Sequence, residues 1–165
     1  MNIEDLRLIY DYNYWATHRI LSAAAKVAPE QYAAPAAFPY GSLRGTLFHT
    51  LDAEVGWRKL CQHNQMAFDL AEADFATFDQ LEQLWREEEA AMRSYLGGLS
   101  DADLASLVLY TGDSGAKRER VLWHCLLHVA SHSAQHRSEA AAIVTGLGHS
   151  PGDVDFTLFL NERRT

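Results

Sequence analysis

The chain has little from which to build a covalent scaffold. Its 165 residues include two cysteines, Cys61 and Cys125. They form no CxxC pair, which excludes a disulfide framework and suits a reducing compartment. Long hydrophobic runs are missing too: no stretch approaches the roughly 20 apolar residues of a membrane span. The first fifteen residues carry acids early and no unbroken apolar region, so no signal peptide is read and a cytoplasmic location is expected. Basic residues are scarce, 14 Lys and Arg against 22 Asp and Glu. The resulting charge of −8 argues against a nucleic-acid backbone or an anionic membrane surface as partner. Familiar catalytic signatures are also absent. There is no GxSxG, no P-loop and no GxGxxG after a strand. Ser133 follows His132, so HExxH is absent with its adjacent base, and the ExxH pairs of di-iron bundles are missing.

Histidine, by contrast, is plentiful. The chain holds eight, and four of them, His124, His128, His132 and His136, recur every fourth position within VLWHCLLHVASHSAQHRSEAAAIV. Residues four apart lie one turn above each other on a helix. Two imidazoles so placed can reach one metal ion at about 2.0–2.1 Å. The ladder drifts about 40° per step and rises about 18 Å in all, so one ion cannot take all four. Against an apolar stripe of Val121, Leu122, Cys125, Val129, Ala140, Ile143 and Leu147, His132 and His136 fall inside. His128 lies on the border, and His124 reads as surface.

Four segments carry helical period. The first runs from about Asn2 to Val27, with Leu6, Tyr10, Asn13, Thr17, Ile20, Leu21 and Ala24 on one side, and Pro29 ends it. The second begins at the N-cap candidate Ser42 and reaches about His63. Its inner side is Leu43, Thr46, Leu47, Thr50, Ala53, Trp57 and Leu60; its polar side is Arg44, Asp52, Glu54, Arg58, Lys59 and Gln62. The third spans about Thr77 to Leu96 and stops at Gly97-Gly98, with Glu87, Glu88 and Glu89 as a solvated face. A short β-hairpin follows, LASLVLYT and AKRERV around a turn at Gly112–Gly115. The fourth helix spans about Val121 to Thr145, and the tail containing DFTLFL reads as irregular. The expectation is one all-α domain over residues 1–165: a four-helix bundle with a short hairpin before its last helix. The first and third connections are long enough to leave sequential helices parallel, an up-up-down-down order.

A catalytic site of the zinc type keeps three protein ligands and an open position. His49 is the best third ligand, because it lies in line with Ala53, Gly56 and Leu60 on the inner arc of the second helix. His18, His63 and His149 are poorer candidates by position. Cys125 reads as a buried small apolar residue, with a thiolate ligand as the alternative. Glu139, one turn beyond His136, is the candidate carboxylate for base or supporting work, against the alternative of a solvated or salt-bridged side chain. His128 is a candidate for lining the pocket or orienting a ligand. Trp123, Leu127, Ala130, Ala134 and Ala141 make the outer side of the fourth helix apolar, so it should pack on a second subunit or on another part of the chain.

These residues resemble the DinB family, also called DinB/YfiT-like metalloenzymes. The likeness lies in YNYWATHRIL (12–21), SLRGTLFHTLDAEVGWRKL (42–60), LHVASHSAQHRSEAAAIV (127–144) and LGHSPGDVDFTLFL (147–160). The resemblance implies a metal held by His49, His132 and His136 in an up-up-down-down bundle that forms homodimers. It implies a divalent ion, zinc or nickel first, with manganese or iron as alternatives. It also implies a small-molecule substrate and a low-molecular-weight thiol such as bacillithiol, mycothiol or glutathione, in an S-transferase or related hydrolase. The other reading is a non-catalytic stress-response dimer stabilised by metal. The family's common HHRGQ run is replaced here by Gln135-His136-Arg137-Ser138-Glu139, which keeps the histidine and changes its neighbours.

Overall fold

The computed structural model describes residues 1–66, 68–112 and 114–163. Asp113, inside the expected hairpin turn, and the last two residues of the expected tail lie outside them. The protein is mostly helical, with one small antiparallel sheet. The helices are α1 (Ile3–Ala24), α2 (Pro29–Tyr32), α3 (Leu43–His63), α4 (Phe78–Gly97), α5 (Leu122–Gly146) and α6 (Phe156–Glu162). The strands are β1 (Leu107–Thr111) and β2 (Lys117–Val121).

Local chemistry sets the helix starts. Asn2 with Asp5 and Thr77 with Gln80 form reciprocal capping boxes, and Ser42 accepts from the Gly45 amide at 2.9 Å, each satisfying orphan amides of a first turn. Two segments differ from the sequence reading. Pro29 opens the short helix α2 rather than closing α1, because its missing N–H costs nothing at a first helical position. The DFTLFL tail is helical: Asp155 caps it through the Thr157 amide at 2.7 Å, and Phe156 and Phe159 pack on Tyr12 at ring-centroid distances of 5.1 and 5.8 Å.

Interhelical contacts give the helix senses. Tyr10 donates to the Leu126 carbonyl and Arg137 to Asn13, so α1 and α5 run the same way. Arg58 pairs with Glu88 while Tyr95 donates to the Cys61 carbonyl, so α3 and α4 share a sense. Arg7 reaches the Leu96 carbonyl and Arg93 reaches Asp11, which makes those two pairs opposed. The order is therefore up-down-down-up, not up-up-down-down. The connection that travels the length of the helices is 64–77, and the first connection simply turns back.

Two apolar clusters fill the ends. One gathers Ile20, Leu47, Leu51, Trp85 and Val144; the other gathers Leu6, Tyr10, Leu60, Met92 and Leu126. Near the junction of the two clusters along all four long helices sit buried polar residues: Asn13, Thr17, Glu54, Glu88, Ser133 and Arg137. Glu88 corrects the solvated-face assignment of the third expected helix and Glu54 the polar-side assignment of the second, at 3% and 1% exposure. A helical wheel scores one face per helix, whereas each long helix here touches at least two others. The same geometry widens the inner arc of α5, which takes in Leu126, Ala130, Ser133, Arg137 and Val144, while Ile143 and Leu147 are half-buried and Val121 belongs to β2. The Leu127, Ala130 and Ala134 side of α5 forms a groove with Ile9, Tyr12 and Phe156, so α1 and α6 supply part of its cover.

Candidate metal centre

The middle of α5 faces the first turns of α3, and three imidazoles meet there. His132 Nε2 lies 3.1 Å from His49 Nε2 and 3.2 Å from His136 Nε2. One ligand atom from each of the three rings falls within 4.8 Å of the others. His136 is buried, and His49 and His132 are half-buried. The group therefore has a closed side and an accessible one.

This convergence is chemically awkward without a cation. A neutral imidazole nitrogen carries either one proton or one lone pair, so His132 Nε2 cannot satisfy both neighbours with one hydrogen-bonding role. Two nitrogens bound at about 2.0–2.1 Å to one ion stand about 3–3.4 Å apart, which the observed spacings match. The donor set fits a divalent ion that accepts nitrogen ligands. Burial, reinforced by the neighbouring His136, pulls His49 down to about 4, although Glu139 works in the opposite direction. Burial and the surrounding histidines pull His132 to about 4 as well. Both rings are thus neutral at pH 7, with lone pairs available.

Supporting contacts fix the rings. Glu139 Oε2 stands 2.8 Å from His136 Nδ1. A carboxylate there holds the ring proton on Nδ1 and leaves Nε2 as the free donor atom. Tyr40 stacks on His49 with ring centroids 3.8 Å apart and 14° between planes, and meets His136 edge-on at 5.2 Å. Gly45 makes that stack possible, since a Cβ at this position would lie 2.2 Å from the Tyr40 carbonyl oxygen.

The remaining candidates fall elsewhere. His128 is exposed, with its ring centroid 5.8 Å from that of His132 and 4.8 Å from that of Trp57. His124 is exposed and packs edge-on against Trp123. His18 pairs with Glu89 across α1 and α4, His63 is exposed at the end of α3, and His149 lies in the loop after α5. Cys125 is buried outside the histidine group, and its neighbour Cys61 on α3 pulls the Cys125 thiol down while the Cys61 thiol is pushed up.

Sequence reasoning missed Tyr40, which sits in a loop where periodicity says nothing; the only signal was an aromatic residue beside the turn that leads into the Ser42 cap. It also missed the polar layer. There Tyr14 donates to Glu54 and Arg137 donates to Asn13, both inside the core.

The model of the DinB family matches residues 1–165, and the chain belongs to that family. Comparison with curated proteins finds no match.

Proposed function

From DinB-family membership and the site geometry, we propose that the protein is a divalent-metal-dependent enzyme whose ligands are His49, His132 and His136. Zinc or nickel is the favoured ion, and a thiol-dependent S-transfer, or a related hydrolysis, is the favoured reaction. The observation that carries the reading is the approach of three ring nitrogens from two helices. An ion held there would act as a Lewis acid and lower the pKa of a bound thiol or water. The protein's own contribution is preorganisation. Glu139 fixes the tautomer of His136, Tyr40 holds the plane of His49, and burial keeps His49 and His132 deprotonated.

A second reading, a metal-binding stress-response dimer without catalysis, is favoured by one contact: Glu139, the carboxylate candidate for a base, is engaged by His136. The proposal also includes a single cytoplasmic domain, packing of α1, α3, α4 and α5 as a four-helix bundle, a homodimer and a small-molecule substrate. No helix among the described residues is long and apolar enough to cross a membrane.

The test is metal analysis of protein purified without a histidine tag and supplied with zinc, nickel and manganese. About one ion per chain is expected, lost in His132→Ala and kept in His124→Ala; no uptake overturns the metal reading. Thiols offered with electrophiles then decide catalysis. Turnover that disappears in His49→Ala supports the enzyme; turnover indifferent to that change removes the site from the reaction, and no turnover favours the non-catalytic reading.

A further inference from the structure

Beside the three histidines, one turn toward the start of α5, lies a cavity of about 340 Å³. It is lined by Trp57, Tyr110, Arg120, His124, Cys125 and His128. His128 connects it to the candidate metal centre, standing about 6 Å along the helix from His132. Its volume falls at the lower end of the range typical of small-molecule sites.

The lining has two chemically distinct parts. Trp57 and Tyr110 meet edge-on, ring centroids 5.6 Å apart, and provide an apolar wall. The exposed Arg120 side chain adds a positive charge to the lining. The hairpin register explains why: Arg120 pairs with Val108 and Arg118 with Tyr110. Side chains alternate along a strand, so Arg120 shares the face of buried Val108 and of Tyr110 rather than that of exposed Leu107 and Leu109. Among the described residues Arg120 forms no ion pair with a carboxylate; its guanidinium donates to the Glu119 carbonyl at 2.8 Å. In a chain of net charge −8, β2 is nonetheless basic, with Lys117, Arg118 and Arg120 against one Glu119.

We propose that this cavity is a binding site for a small carboxylate-bearing organic molecule. The carboxylate sits on Arg120, the apolar body rests on Trp57 and Tyr110, and the other end passes His128 toward His132. For its role in catalysis this rests on the metal reading; for binding it does not. The geometry thereby narrows the substrate or thiol to an organic acid, anchored at a distance from the reacting end so that orientation comes from the protein.

Calorimetry with 3-phenylpropionate and its neutral analogue 3-phenylpropanol, on metal-free and zinc-supplied protein, tests it. The acid should bind wild type about tenfold or more tightly than the alcohol, in line with a charge-assisted hydrogen bond. That preference should persist without metal, vanish in Arg120→Gln, and survive Lys117→Gln on the opposite strand face. Failure of the acid to bind, equal binding of the two, retention of the preference in Arg120→Gln, or its loss in Lys117→Gln overturns the proposal. A preference seen only with zinc places the carboxylate on the ion and overturns it as well. Zinc affinity measured separately in Arg120→Gln should be unchanged. Protein that takes up no zinc defeats the metal reading, while the metal-free titrations still decide the cavity.

Discussion

Glu139 Oε2 lies 2.8 Å from His136 Nδ1, one helical turn apart on α5, with the two side chains only 15% and 5% exposed. The contact settles which ring nitrogen of His136 faces His132. Glu139→Ala should weaken zinc binding by about 10- to 100-fold with little change in secondary structure. Glu139→Gln, whose amide oxygen still accepts from Nδ1, should lose less. Competition with a chromogenic chelator measures both, and equal affinities for wild type and Glu139→Ala would remove the positioning role.

Gly45 is required by contact rather than by backbone angle. The nearest atom to an added Cβ is the Tyr40 carbonyl oxygen, at 2.2 Å, and a backbone atom cannot yield as the tip of a side chain can. Gly45→Ala should cost about 1–3 kcal/mol and lower Tm by several degrees. Tyr40→Phe keeps the ring on His49 and should leave Tm close to wild type. Thermal melts of the two variants separate backbone clash from loss of the hydroxyl.

Glu54 makes stability depend on pH. Burial raises its carboxyl from 4.5 to about 7, the Glu88 charge adding to this while Tyr14 and Arg137 act in the opposite direction. The folded form therefore holds the proton more tightly than the unfolded chain. Its stabilisation is complete below about pH 4.5 and is lost as pH rises through about 7. Glu54→Gln, a permanent stand-in for the protonated acid, should match wild type near pH 5 and exceed it at pH 8. Melts of metal-free wild type and variant across that window test this; a constant gap between them contradicts it.

Glu88 and Arg58 form a two-bonded ion pair, both contacts at 2.6 Å, with 2% and 14% side-chain exposure. Glu88→Ala leaves the guanidinium largely buried without its carboxylate and should cost about 3–5 kcal/mol. Glu82→Ala, which breaks the more exposed pair with Arg86, should cost about 0–1 kcal/mol. Denaturant titration of the two variants checks the contrast.

The sequence by itself determined the local elements and the ligand candidates. Capping residues, apolar period and the Gly-rich turn marked the long helices and the hairpin, because those signals act over a few residues. The i,i+4 spacing singled out His132 and His136, and the inner arc of the second helix singled out His49. Tertiary structure decided what depends on a second neighbour. Glu54, Glu88 and Arg137 are buried because helices close in on more than one side and supply Tyr14, Arg58 and Asn13 as partners. The same holds for the stack of Tyr40 on His49, the helix senses and the Arg120 cavity. Periodicity records which side of one helix avoids water, whereas partners across the core are fixed only when separate segments pack.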